Sequence, residues 1–317
     1  MGVALVVAVV AVVAVAVGMA TTSGRRGAGT GTGQPSTAAT GSGARPVTAT
    51  TRSAPVRGRA VTLTSLDLVD TGRPVVSGGT VLAPTRDLPT EVWVPSGPGH
   101  FPLVVLVHGY DRGPLDYARF GAQLASSGYV VAAPSFPLED PARGYPLDRT
   151  RLADEAADVS FVIGALEDRS GALHLVPGAV AVVGHSDGAD VALLVGYAPG
   201  TVDGRVGAVV ADAPDPMAAP PPPSAVPLLL VQGTEDSVVP YAASATVFAQ
   251  VAAPTAYLTL VGADHLPPIA GGTPWTPVLD DAVARWLDAT VAHRGPAPGP
   301  TTVPAPDPSV ATVRWRP

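Results

Sequence analysis

The chain has 317 residues and no cysteine, and its 19 basic residues, all arginine, stand against 26 acidic ones for a formal charge of −7. That balance offers no basic stripe to a nucleic acid. The missing thiols exclude disulfide frameworks, thiolate metal sites and a cysteine nucleophile together. Aromatics make up only 5% of a chain that is 46% hydrophobic, so the apolar mass is Val, Ala and Leu, which suits closely packed parallel strands and helices.

Residues 1–20 (MGVALVVAVVAVVAVAVGMA) carry no charge and read as a signal peptide or membrane anchor. Small residues at Gly18 and Ala20 favour cleavage after Ala20, whereas Arg25 and Arg26 favour retention as an anchor. Either way the expected location is extracytoplasmic, secreted or membrane-anchored. Residues 21–57 are Gly, Thr, Ser, Ala, Pro and Arg with almost nothing large and apolar, so they read as a disordered linker. Residues 58–292 have the size of one α/β domain. Residues 293–317 turn Pro/Ala/Thr-rich and read as a disordered tail.

Within 58–292, Val61 to Val69 and Glu91 to Val94 alternate like half-exposed edge strands, and Leu103 to Val107 (LVVLV) is continuously apolar like a central strand. Leu115 to Ser127 reads as a helix with Leu115, Ala118, Ala122 and Ala125 on one face, stopped by Gly128. Then follow strand Tyr129 to Ala133, helix Leu152 to Glu167, strand Ala179 to Val183 and helix Asp187 to Gly196. Strands Gly207 to Ala211 and Pro227 to Val231, helix Tyr241 to Ala252, strand Ala256 to Val261 and helix Val278 to Ala292 complete the series. Strands leading and then alternating with helices predict a mostly parallel central sheet with helices on both faces.

Three patterns fall just past predicted strands, where ligands bind in open α/β sheets. Gly184-His185-Ser186-Asp187-Gly188 is a G-x-S-x-G between a strand and a helix, with Gly184 and Gly188 demanded by the sharp turn that exposes a nucleophile. Gly233-Thr234-Glu235-Asp236 follows PLLLV, and Gly262-Ala263-Asp264-His265 follows the last strand. Ser186, Asp236 and His265 thus occur in the order nucleophile, acid, base. A serine hydroxyl needs such a base, and the base needs a carboxylate to fix its tautomer. His108-Gly109-Tyr110 follows LVVLV, so the backbone N–H groups of Tyr110 and Asp187 are candidate oxyanion donors. Tyr110 is also a candidate for binding the substrate.

Rival assignments exist for the acid: Glu235 beside it, and Asp212 after an earlier strand. Asp264 reads as a solvated loop charge, His108 and His185 as structural flanks of their turns, and His100, His174 and His293 as surface residues without metal-ligand spacing. No metal site and no cofactor is expected.

The stretch PLVVLVHGYDRGPLDYARFGAQLASSGYVVAAPSFP, the helix ADEAADVSFVIGAL and the elbow VGHSDGA resemble the α/β-hydrolase superfamily from about Glu91 to Ala292. They are most similar to serine esterases of the dienelactone hydrolase, chlorophyllase and platelet-activating-factor acetylhydrolase-like group, relatives of bacterial cutinases. The resemblance implies an α/β-hydrolase fold and carboxylic ester hydrolysis through an acyl-enzyme on a small-molecule ester, without a cofactor. Cutinases usually carry Met where Asp187 stands and Gly where Ala189 stands. A peptidase or acyltransferase would use the same triad, and a non-catalytic extracytoplasmic binding module would keep the fold alone. No cap domain is expected, because residues 213–226 are mostly Pro and Ala and Phe136 to Arg151 is a polar loop. The site is therefore expected to be open, with Asp111 and Asp187 giving it an acidic mouth, on a monomeric enzyme.

Overall fold

The computed structural model describes residues 58–304 and 307–317. Residues 1–20 and 21–57, read from the sequence as a signal or anchor segment and a linker, lie outside the described residues. Among the described residues eleven strands and seven helices follow one another: β1 (Val61–Asp70), β2 (Val75–Ser77), β3 (Thr80–Ala83), β4 (Arg86–Pro95), β5 (Phe101–Val107), α1 (Ala118–Ser126), β6 (Val130–Pro134), α2 (Leu152–Glu167), α3 (Ser170–Leu173) and β7 (Leu175–His185). Then come α4 (Asp187–Tyr197), β8 (Val206–Asp212), β9 (Leu228–Gly233), α5 (Tyr241–Gln250), β10 (Thr255–Leu260), α6 (Pro267–Ala270), α7 (Thr276–Thr290) and β11 (Ala311–Arg316).

Nine strands form one sheet in the order β1-β4-β6-β5-β7-β8-β9-β10-β11. Its middle, from β6 to β10, is parallel; β1, β4 and β11 add antiparallel edges. Since successive side chains leave a strand on opposite faces, β5 sends Leu103, Val105 and Val107 into one core and Val104 and Leu106 into the other. The first core is covered by α2, α4 and α5, the second by α1 and α7. Both faces are therefore buried, which is why β5 reads as a continuous apolar run. This is the α/β-hydrolase fold. The connections after β6 and β8 contain only short 3₁₀ turns and irregular chain, with no helical cap.

Two sequence expectations need correction. The tail 293–317 is not wholly disordered: β11 pairs with β10 over six residues, from Thr255 opposite Arg316 to Leu260 opposite Ala311. Ala311 and Val303 are buried, and Trp315 meets Trp286 edge-on at 6.4 Å. Arg316 donates to the carbonyls of Phe248 and Val251, and Arg314 lies over the ring of Tyr257. A short alternating strand, ATVRWR, hides in a Pro/Ala-rich composition. Secondly, Leu115 sits in a 3₁₀ turn, exposed; the buried face of α1 is Phe120, Gly121, Leu124 and Ala125. The loop from Phe136 to Arg151 folds its first residues inward, with Phe136, Leu138, Glu139 and Asp140 buried. Asp140 there caps a 3₁₀ turn and accepts from Ser135.

Candidate active site

The chemistry-bearing residues stand past the C-terminal ends of four parallel strands: Gly109 and Tyr110 after β5, Ser186 after β7, Asp236 after β9 and His265 after β10. Ser186 occupies the turn between β7 and α4 at φ 58° and ψ −130°, a region that costs a non-glycine residue about 1–3 kcal/mol. Its neighbours hold it there. The Ser186 N–H donates to the Asp212 carbonyl at 2.9 Å, and the Ser186 carbonyl accepts from Ala189 N–H at 2.7 Å.

The elbow glycines are required by close approach. A Cβ on Gly184 would lie 1.9 Å from the Gly188 carbonyl oxygen, one on Gly188 2.3 Å from that of Val107, and one on Gly109 2.9 Å from the Cβ of Ser186. The ends of β5 and β7 and the start of α4 thus touch backbone to backbone. That contact sets the His108-Gly109-Tyr110 turn against Ser186.

Asp236, rather than Glu235 or Asp212, is the carboxylate that meets His265. Its Oδ2 accepts from His265 Nδ1–H at 2.8 Å and from Gln232 Nε2 at 2.8 Å; its Oδ1 accepts from the N–H groups of Val238 and Val239 at 2.9 and 2.8 Å. Four donors leave the carboxylate little freedom to turn. With Nδ1 donating, Nε2 of the neutral ring is a bare acceptor. Glu235 is exposed and outside the site. Asp212 is buried with Oδ2 unpartnered among the described residues, and burial, reinforced by Asp236, pushes its carboxyl well above the usual range. It makes no hydrogen bond to His265, whose Nδ1 bonds to Asp236 instead.

Asp264 is exposed, as expected, but it also pins the two loops together. Its Oδ1 accepts from the N–H and Oγ of Ser237 and from the N–H of His265. Those bonds hold its carboxyl below the usual range.

The Tyr110 and Asp187 N–H groups have no hydrogen-bond acceptor among the described residues. For Asp187 this follows from its place at the first position of α4, where N–H groups have no partner within the helix. The Gly109 carbonyl, on the same planar peptide as the Tyr110 N–H, accepts from His108 Nδ1 at 3.0 Å, and His108 Nε2 accepts from Phe136 N–H at 3.2 Å. Burial lowers the His108 pKa and keeps the ring neutral. His108 thereby fixes the plane in which the Tyr110 N–H points.

A cleft of about 250 Å³ brings together Tyr110, Ser186, Asp187 and His265. Its mouth is not acidic as expected. Arg149 clamps Asp187 with two bonds, at 2.5 and 3.0 Å, and reaches Asp215 at 3.5 Å; Arg112 also lines the cleft. A larger groove of about 580 Å³ lies between β1 and α2 and contains none of these residues.

Sequence reasoning missed Gln232, Tyr117 and Arg149. Gln232 carried a signal, since a lone amide closing the apolar run LLLVQG needs a buried partner. Arg149 and Tyr117 carried none, as loop charges and helix aromatics are commonplace. Among the described residues no group of three or more His, Asp or Glu could hold a metal ion, and no helix is long and apolar enough to cross a membrane.

No curated protein matches the chain. The chlorophyllase family model matches residues 76–220, a stretch that takes in the His108-Gly109-Tyr110 turn and the Gly184–Gly188 elbow and ends before Asp236 and His265. Over those residues the chain is similar to the chlorophyllase family, a group of α/β-hydrolase-like esterases, and that similarity implies an ester hydrolase on the fold just described.

Proposed function

We propose that the chain is a serine hydrolase cleaving carboxylic esters through an acyl-enzyme, with Ser186 as nucleophile, His265 as general base and Asp236 as orienting acid. The observation that carries the reading is the His265 Nδ1 to Asp236 Oδ2 bond of 2.8 Å, in the cleft that Ser186 lines. His265 Nε2 takes the Ser186 proton as Oγ bonds to the ester carbonyl carbon. The carbonyl oxygen becomes an oxyanion, held by the N–H groups of Tyr110 and Asp187. Collapse breaks the bond to the leaving alkoxide, which takes the proton from His265. Water then attacks the acyl-enzyme, gives its proton to His265, and the acid leaves as that proton returns to Ser186 Oγ.

Small, water-accessible esters fit a cleft of about 250 Å³ with no helical cap. The assay is turnover of p-nitrophenyl esters of increasing chain length beside a matching anilide. The expected result is fastest turnover of short acyl chains and little or none of the anilide. A preference for long chains, or a rate jump as a short triglyceride passes its solubility limit, would contradict the open site. The uncharged run at residues 1–20 supports an extracytoplasmic enzyme. Fractionation of cells expressing the full chain or a version starting at Thr21 tests this, and equal cytosolic recovery of both would contradict it.

A further inference from the structure

Two buried side chains that the proposed reaction does not use, Tyr117 and His185, join its oxyanion turn to its base. Tyr117 is 2% exposed and His185 2%. The Gly109 N–H donates to Tyr117 Oη at 3.1 Å, Tyr117 Oη lies 2.9 Å from His185 Nδ1, and His185 Nε2 lies 3.0 Å from the His265 carbonyl oxygen. One proton arrangement satisfies every atom. The His265 carbonyl can only accept, so Nε2 carries the hydrogen. The neutral ring then has a lone pair at Nδ1, so the Tyr117 hydroxyl donates there and takes the Gly109 N–H on its oxygen.

We propose that Tyr117 and His185 form a positioning relay, in which His185 holds the backbone and ring of His265 in register with the oxyanion turn. The proposal rests on the serine hydrolase reading above. The His185 ring packs against that of His265, centroids 4.6 Å apart and planes at 46°, so it supports the base from the side as well as through its carbonyl. Gly109, at the other end of the relay, abuts the Cβ of Ser186. The relay therefore grips the turn that carries one oxyanion donor and the loop that carries the base, on strands separated by β7, β8 and β9 in the sheet.

Neutrality of His185 is part of the device. A proton on Nδ1 would face the Tyr117 hydroxyl with a second donor, and a cation would stand against His265 as that ring itself becomes imidazolium. Burial, helped by the charges of His265 and Arg112, lowers the His185 pKa to about 3, against the hydrogen bond to the His265 carbonyl and the charge of Asp236, which raise it. A histidine that merely filled the turn would need no defined tautomer, and its replacement would alter stability rather than turnover.

The first arm of the test is ¹⁵N NMR of the full protein labelled at histidine. His185 should show a protonated Nε2 and a bare Nδ1, unchanged between pH 5 and 9; an imidazolium, or the opposite tautomer, would overturn the relay. The second arm is kinetic. Tyr117→Phe should lower kcat roughly ten- to hundred-fold with KM within about twofold. His185→Gln, whose amide can still donate to the His265 carbonyl, should keep more kcat than His185→Leu. Undiminished kcat in Tyr117→Phe, or equal losses in the two His185 variants, would overturn the proposal. If a variant fails to fold, the wild-type spectrum decides. Failure of the hydrolase reading would show separately, as a wild-type protein without ester turnover.

Discussion

Substituting Gly188 by alanine probes the contact on which the proposed site depends. The added methyl would lie 2.3 Å from the Val107 carbonyl oxygen and 2.6 Å from that of His108, where ordinary contact begins at 3.4 Å. Something must move by about 1 Å, and both obstructing atoms are main chain. Since both sides of the contact are backbone, the end of β5, which carries Gly109 and the Tyr110 N–H, and the start of α4 must shift relative to each other. A displacement of about 1 Å in a catalytic group costs on the order of 100-fold in rate, or about 2.7 kcal/mol of barrier. Gly188→Ala should therefore lose about two orders of magnitude in kcat/KM toward p-nitrophenyl acetate, read beside thermal melting to show a folded enzyme. Gly171→Ala, where a Cβ meets nothing within 4 Å, is the control and should match wild type. Wild-type kcat/KM in Gly188→Ala would refute the claim that elbow and oxyanion turn are set by direct backbone contact.

Asp236→Asn should reduce kcat on the order of 10³- to 10⁴-fold by favouring the wrong imidazole tautomer, while Asp212→Asn stays within about tenfold; the reverse pattern in steady-state assays would reassign the acid. Burial raises the carboxyl of Glu139 to about 8, with no partner for either of its oxygens among the described residues. A carboxyl neutral when folded but ionised when unfolded stabilises the fold below its unfolded pKa, and that contribution is lost as pH rises toward 8. Glu139→Gln should therefore gain on wild type between pH 5 and 8, by up to about 1.4 kcal/mol per pH unit; urea unfolding at three pH values checks it, and a constant gap counts against it. Ending the chain after Pro304 removes β11 and its Trp315 contact with Trp286. That should cost about 3 kcal/mol or more and lower Tm by roughly 10 °C; an unchanged melting curve would mean that β11 adds nothing to the sheet.

What could be read from the sequence follows from where the information is local. LVVLV announces β5 because both faces of a central parallel strand are buried, and G-x-S-x-G announces the elbow because its close approaches lie within five residues. Asp236 and His265 stand out by their positions after strands, and G-x-x-D followed by V-P favours Asp236 over Asp212 through the resemblance alone; residue spacing does not separate the two, since both end apolar runs, and it is the fold that brings Asp236 to His265 Nδ1. Tyr117 and His185 meet across 68 residues, and no local pattern marks such a pair. Likewise the charge of the cleft depends on Arg149, 38 residues before Asp187, so an acidic mouth was a fair reading of GHSDG and still incorrect. The strand β11 was missed because composition over 25 residues outweighed the alternation in ATVRWR.

The central claim is that Ser186 is an activated nucleophile. Incubating the folded protein with a fluorophosphonate and mapping the adduct by peptide mass spectrometry tests it most directly. One adduct per chain on Ser186, absent in Ser186→Ala and slowed by orders of magnitude in His265→Ala, is the predicted result. A folded wild-type protein that takes up no label, or takes it up elsewhere, would contradict the account.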